Sequence, residues 1–320
     1  MAEFELINLL RQRCAHSRAD VRLGIGDDAA VVCVPAGCEL VVCTDTMVAG
    51  VHFPADTDPA DIGWKALAVN LSDLAAMGAT PAWATLALTL PSADADFVAR
   101  FADGFFELAR LHDVALIGGD TTRGPLTVTV TAHGFVPAGT ALHRDGARAG
   151  DVVFVSGTPG DAAAGLRSLD EQPDARSRSR AALIDRLNRP RPRIATGISL
   201  RDLASACIDV SDGLLADLGH VAACSGIGME VDAASVPASD ALRECFDAAS
   251  RRALQLAGGD DYELAFTVAE GDVEAMHAAL AGGEVRVTRI GRVVAGSGVR
   301  VLDADGRPIS LPRGGWEHFT

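Results

Sequence analysis

The sequence predicts a two-domain α/β (α+β) protein. Three observations carry this reading. Short apolar or alternating runs of strand length are interleaved with longer stretches of helical period. A glycine-bounded break falls at Ala147-Arg148-Ala149-Gly150-Asp151. The 320 residues suffice for two substantial cores. We therefore expect one domain over 1–147 and a second, α/β domain over 148–320.

The elements follow in chain order. Residues 4–16 read as a short helix. Ala29–Val34 and Glu39–Thr44 are apolar strands joined by Pro35-Ala36-Gly37, an expected hairpin that leaves Asp28 and Asp45 near one end. Asp58-Pro59 is an N-cap followed by proline at the first helical position, and the helix runs to about Gly78. Ile62, Ala66, Val69, Asp73 and Met77 share one face of it, while Leu67, Leu71 and Leu74 cover much of the rest. Asp73 is thus expected in an apolar setting, where a bare carboxylate is costly unless protonated or facing a metal.

Thr85–Leu90 and Leu126–Phe135 alternate as half-buried strands do. Between them Asp94–His112 reads as a helix, and Val114–Ile117 as a strand delivering a Gly118-Gly119-Asp120 turn. Past the break, Val152–Ser156 is a strand that leads through Gly157–Asp161 into a helix. Ser168–Arg180 is polar and non-periodic and reads as a mobile surface segment. Strands and helices alternate from there to the end.

Composition excludes several functions. The formal charge is −15, against the basic face that nucleic acid requires. No apolar run reaches the ~20 residues of a membrane span. Met1-Ala2-Glu3-Phe4 lacks the start of a signal peptide. The seven cysteines are odd in number and without CxxC spacing. These features predict a cytoplasmic protein with free thiols. Lys65 is the only lysine and follows Asp61-Ile62-Gly63-Trp64, so neither a Walker loop nor a protein-kinase lysine is present.

The chemistry lies in five acidic stretches: Gly24-Ile25-Gly26-Asp27-Asp28-Ala29-Ala30, Thr44-Asp45-Thr46, Asn70-Leu71-Ser72-Asp73, Gly118-Gly119-Asp120-Thr121-Thr122 and Asp209-Val210-Ser211-Asp212-Gly213. Each sets an aspartate beside small or hydroxyl residues. Any one of them alone is more simply a capped turn. Five in one chain point instead to hard divalent cations such as magnesium.

Longer matches then carry a resemblance. GIGDDAA (24–30), TDTMVAGVHF (44–53), DPADIGWKALAVNLSDLAAMGATPAW (58–83), LIGGDTTRGP (116–125), GTPGDAAAGL (157–166), DVSDGLLADLGH (209–220) and GGDDYELAFTV (258–268) resemble, in order, the bacterial thiamine-monophosphate kinases of the aminoimidazole ribonucleotide synthetase superfamily. The resemblance implies ATP-dependent phosphorylation of thiamine monophosphate to thiamine diphosphate with magnesium. It also implies the family's two-domain fold: an N-terminal sheet that pairs with its twin in a homodimer, and a C-terminal α/β domain. By this likeness Asp28, Thr44, Asp45, Asp73, Asp120, Asp209 and Asp212 match magnesium ligands. Gly119, Asp120, Arg144 and Ser211 match contacts to ATP, and His52, Asp260 and Trp316 match contacts to the thiamine substrate. Cys43 stands where relatives often place a serine that ligates through its backbone. Asp260 stands where a glutamate is expected.

The chemistry agrees with the likeness. A phosphate monoester has its second pKa near 6, so the acceptor is already anionic and needs no general base; no catalytic side chain is expected. The obstacle is repulsion between two anions among six carboxylates, which bridging metal ions would relieve. Alternatives are another ATP-dependent enzyme of the superfamily, a metal-dependent phosphohydrolase, or a non-catalytic thiamine-phosphate sensor. Selenophosphate synthetase requires a lysine that this chain lacks, and the hydrogenase-maturation relative ends in a cysteine, where this chain has Thr320.

Overall fold

The computed structural model describes residues 9–13, 18–172, 176–283, 285–309 and 315. It divides into two units, Met1–Leu74 with Ala79–Gly139, and Ala75–Gly78 with Thr140–Thr320. Of the helix expected over 4–16, residues 9–13 are helical and the rest lies outside the described residues.

The first unit is built on a four-stranded sheet. Its chain order is β1 (Val21–Leu23), β2 (Val31–Val32), β3 (Cys38–Val48), α1 (Pro59–Ala76), β4 (Thr80–Leu90), α2 (Ala95–Leu111), β5 (Ala115–Arg123) and β6 (Thr127–Pro137). The sheet order is β3-β6-β4-β5, and β1 and β2 form a separate ribbon. Only β4 and β5 run parallel, joined by α2 as a crossover. Both helices begin as the sequence indicates: Asp58 Oδ1 accepts from Ala60 N at 2.9 Å, and Asp94 Oδ1 accepts from Asp96 N and Phe97 N at 3.0 and 3.1 Å. One helix-facing side of the sheet buries Leu86, Leu88, Val128, Val130 and Ala132.

Two expectations are corrected here. Residues 29–34 do not form a hairpin with β3. The reversal at Pro35 exists, with Cys38 N donating to Pro35 O at 3.2 Å, but β2 pairs with β1 while β3 pairs with β6 along eleven residues. Turn chemistry fixes a reversal; burial chooses partners. Val21, Ala30, Val32 and Cys38 pack on Trp83, Ile117 and Phe135, which a hairpin with β3 would forgo. Second, Gly118-Gly119-Asp120 is not a turn but the middle of β5, paired with Thr85, Leu86 and Ala87. A register shift at Ala84/Thr85 leaves Ile117 unopposed, and Gly119 takes φ 153° with its Cα so close to β4 that a Cβ would stand 1.8 Å from Leu86 O.

The second unit carries a seven-stranded sheet of order β13-β12-β9-β11-β7-β10-β8, mostly antiparallel. Its elements are β7 (Val152–Ser156), α3 (Asp161–Ser168), α4 (Ser177–Asn188), α5 (Ile194–Ser199), β8 (Ala204–Asp209), α6 (Leu214–Ser225), β9 (Gly228–Asp232), α7 (Asp240–Cys245), α8 (Ala248–Ala257), β10 (Leu264–Val268), α9 (Val273–Ala279), β11 (Val287–Val294), β12 (Gly298–Leu302) and β13 (Pro308–Ile309). Its main core joins Val153, Val155, Ile208, Leu214, Leu218 and Met229 among others. The segment expected to be mobile is partly ordered: Ser177–Arg180 form the first turn of α4, whose Leu183 and Leu187 are buried. Two buried leucines on one face are a weaker periodic signal than the surrounding charge, which hid the helix. No helix among the described residues is long and apolar enough to cross a membrane.

Helices α1 and α2 meet backbone to backbone. A Cβ on Gly63 would lie 2.0 Å from Phe101 O, and one on Gly104 would lie 1.8 Å from Ala60 O. Alanine normally favours a helix over glycine by roughly 0.5–1 kcal/mol. Here the clash is with backbone, so Gly104→Ala is expected to destabilise by about 1–3 kcal/mol. Gly219→Ala on α6, where a Cβ meets nothing within 4 Å, is expected to be neutral or stabilising. Chemical denaturation of both variants checks the reversal of sign.

Candidate active site

In the first unit, the two-residue period of β3 sorts the site residues. Cys43, Asp45 and Met47 face α1, while Thr44 and Thr46 face the opposite side of the sheet. Thr44 Oγ1 and Thr46 Oγ1 each lie 2.9 Å from a threonine hydroxyl on β6, those of Thr131 and Thr129. The register extends this polar face across β4 to Thr85 and Ala87 and then to Asp120 on β5.

Asn70 ties the other face together. Fully buried on α1, its Nδ2 donates to Ala66 O at 3.1 Å, its Oδ1 accepts from Asp45 N at 3.1 Å, and its carbonyl accepts from the Cys43 thiol at 3.3 Å. Asp73, one turn along α1, also bears on that thiol. Cys43, Asp45 and Asp73 are therefore brought together. Burial, reinforced by Asp73 and Asp45, pushes the Cys43 thiol well up and keeps it neutral. The thiol is engaged by the Asn70 carbonyl. Burial likewise raises the Asp45 carboxyl.

Asp28 is exposed in the turn after Gly26, and its N–H donates to Asp27 Oδ1 at 2.9 Å. His52 accepts at Nδ1 from Val48 N at 2.9 Å, which places the proton of the neutral ring on Nε2. Its carbonyl accepts from Lys65 Nζ at 3.4 Å, so the single lysine is a buried support rather than a phosphate ligand.

Asp120 is not brought to Asp45. The two stand at opposite edges of the sheet, three strands or about 14 Å apart at about 4.8 Å per strand, and on opposite faces. No ion-pair partner meets Asp28, Asp45, Asp120 or Asp212 among the described residues. Uncompensated oxygen donors of this kind suit magnesium.

In the second unit, Asp209 ends β8, and Ser211 and Asp212 lie in the loop before α6. Asp217, only 2% exposed, reaches back from α6: its Oδ2 accepts from the N–H groups of Ser211, Asp212 and Gly213 at 3.0, 3.1 and 3.1 Å. Burial first, then the charges of Asp209 and Asp212, push its carboxyl up to about 7. Ligand atoms of Asp212, Asp217 and His220 lie within 4.8 Å of one another. The exposed Arg144 sits elsewhere, its carbonyl 3.5 Å from Ser225 Oγ at the far end of α6, some 17 Å from Ser211 along the helix.

Asp260 and Tyr262 both take positive φ, 69° and 52°. Their N–H groups donate to Ser211 O and Val210 O, each at 2.8 Å, so this segment is laced to the Asp212 loop. Asp260 Oδ1 accepts from Tyr262 OH at 3.1 Å. Asp261 and Glu263 turn inward and are fully buried. Asp261 caps α3, accepting from Gly160 N at 2.6 Å and Ala162 N at 3.1 Å, and burial raises its carboxyl well up. Glu263 accepts from Ser156 Oγ at 2.6 Å and pairs with Arg186 at 2.8 Å and with Arg193. Despite burial, Arg193 holds its carboxyl below the usual range. Sequence reasoning singled out Asp260 and missed Asp217, Asp261 and Glu263. The signal was there in the run of three acids in Gly258–Leu264, with apolar neighbours only on the last. Trp316 lies outside the described residues.

The chain resembles known proteins along its whole length. Residues 26–136 match the AIR synthase related protein N-terminal domain and residues 148–304 the AIR synthase related protein C-terminal domain. The chain is 50% identical over 319 residues to the thiamine-monophosphate kinase of Escherichia coli strain K12, covering 99% of this chain and 98% of that one. Among solved structures, the thiamine-monophosphate kinase of Stenotrophomonas maltophilia K279a aligns with TM-score 0.87 at 52% identity, over 97% of this chain and 98% of that one. AaThiL complexed with AMPPCP and TMP aligns with TM-score 0.78 at 34% identity, over 99% and 97%.

Glu263 offers a test of the second unit. Replacing it by glutamine leaves Arg186 and Arg193, 18% and 13% exposed, without their counter-charge. Glu263→Gln is expected to cost about 3–5 kcal/mol of stability at neutral pH. Because the folded-state carboxyl is held low, this stabilisation is present above the unfolded pKa and is lost as pH falls through the folded one. The gap between wild type and variant in denaturant melts should accordingly close in acid.

Proposed function

This chain belongs to the AIR synthase related family, among its thiamine-monophosphate kinases, and from that membership we propose that it transfers the γ-phosphoryl group of ATP to thiamine monophosphate, giving thiamine diphosphate. The observation that carries the reading is that Asp45 on β3, Asp120 on β5 and Asp212 before α6 meet no ion-pair partner among the described residues, in a protein with full-length likeness to those kinases. The solved relative AaThiL, complexed with AMPPCP and TMP, supports both substrates.

Residue by residue, the resemblance assigns Asp28, Thr44, Asp45, Asp73, Asp120, Asp209 and Asp212 to magnesium, with Cys43 contributing its carbonyl. Gly119, Asp120, Arg144 and Ser211 are assigned to ATP, and His52 and Asp260 to the thiamine substrate. Magnesium, when bound, neutralises phosphate charge and holds donor and acceptor in line. The protein's own part is to position. Asn70 fixes the backbone of Asp45, Val48 fixes the ring of His52, and the backbone bonds from Asp260 and Tyr262 fix the Asp212 loop. The acceptor oxygen is ionised at neutral pH, so no side chain need remove a proton.

The protein works as a homodimer on this reading. Edge strand β3 is eleven residues long and exposes Leu40 and Val42 at 42% and 53%. Such an edge invites pairing. The other edge is β5. A twin that sets its β5 beside β3 would bring Asp120 of the partner subunit next to β3, where the sheet of one chain holds Asp120 three strands away.

The assay follows ADP and thiamine diphosphate with thiamine monophosphate or free thiamine as acceptor. Stoichiometric products with the monophosphate, none without magnesium, and a poor rate with thiamine are expected, because the thiamine hydroxyl is not ionised. Equal turnover of both acceptors, or phosphate released without transfer, contradicts the proposal.

A further inference from the structure

The buried carboxylate of Asp217 has a task that the substrates and metals do not explain. Resting on the functional reading above, we infer that Asp217 is a positioning residue for the Ser211–Gly213 loop, setting the aim of Asp212 without itself touching substrate. Three facts converge. One oxygen of Asp217 accepts three consecutive backbone N–H groups, at 3.0–3.1 Å. The side chain is 2% exposed. The N–H groups it binds lie before the first residue of α6, Leu214, beyond the reach of helix hydrogen bonds.

The geometry inverts ordinary capping. A cap residue normally precedes its helix and accepts from the first turn. Here no side chain of the preceding loop caps α6, and the fourth helical residue reaches back over the loop instead. One oxygen gathers all three N–H groups. Three such bonds on consecutive residues leave the loop backbone little freedom. The loop is held on its other side by bonds to its carbonyls, from Asp260 N to Ser211 O and from Tyr262 N to Val210 O. The residues between those two fixtures are the ones assigned to metal and ATP. Asp217 therefore contributes pre-organisation: without it, the loop must be ordered when metal and nucleotide bind, and affinity falls by that amount.

The test combines two readouts on wild type, Asp217→Ala and Asp217→Asn. The first is hydrogen exchange by mass spectrometry in magnesium-free buffer without substrates, on peptides covering 209–214. Exchange at Ser211–Gly213 is expected to be slow in wild type, at least tenfold faster in Asp217→Ala, and intermediate in Asp217→Asn, whose amide oxygen accepts without charge. The second is steady-state kinetics. The magnesium concentration for half-maximal rate is expected to rise about 10–100-fold in Asp217→Ala, less in Asp217→Asn, with little change in the KM for thiamine monophosphate. Loop exchange that is unaltered, or a loss of kcat with unchanged magnesium dependence, overturns the inference. If Asp217→Ala does not fold, the same two readouts on Asp217→Asn decide. A wild-type protein without kinase activity would overturn the functional reading instead, and the exchange experiment would still decide this one.

Discussion

The register of the N-terminal sheet is the constraint on which the rest depends. Side chains along β3 alternate between its faces, so Asp45 turns toward α1 and Thr44 toward the threonine face. Because neighbouring strands in register share faces, Asp120 on β5 falls on the threonine face and at the far edge. A shift of one residue anywhere in β3 would exchange the two sets and bury Thr44 while exposing Cys43 and Met47. Register is held by the buried side: Met47 is 3% exposed and Asn70, with none, bonds both Asp45 and Cys43. The core thus decides on which face of the sheet each carboxylate stands.

In the second unit the acids divide by what surrounds them. Asp261 and Glu263 are buried and answered, one by two backbone N–H groups and the other by two arginines and a serine. They fix β10 and α3. Asp260 and Asp212 stay half-buried on loops that these elements place. Asp217 bridges the two classes, being buried like the structural acids but spent on the loop that carries Asp212. A protein of formal charge −15 handling phosphates needs this division.

Much of this was legible in the sequence. Helix α2, expected over Asp94–His112, runs Ala95–Leu111 with those two residues as its caps, because capping is local. Strand β7 begins and ends where the run Val152–Ser156 indicated, since its residues are buried throughout. What failed was non-local. The Pro35 turn says that the chain reverses but not that β3 will pair with β6, ninety residues on in sequence. The glycines of 118–119 read as a turn, whereas they serve close approach of β5 to β4. At the site, the motifs marked Asp28, Asp45, Asp73, Asp120 and Asp212 as special. They could not show that Asp45 and Asp120 lie on opposite faces, which only the pairing order reveals.

Asp45 and Asp120 lie at opposite edges of the sheet, so a metal site that uses both would need two chains. Complementation between variants tests it directly. Asp45→Asn and Asp120→Asn, each expected to be nearly inactive as a homodimer, are co-expressed with different tags and the mixed dimer is purified through both. If each site takes Asp45 from one chain and Asp120 from the other, one site of the mixed dimer is intact, and it should show about half of wild-type activity. A mixed dimer as inactive as its parents would mean that both residues serve within one chain, and would contradict a site shared between chains.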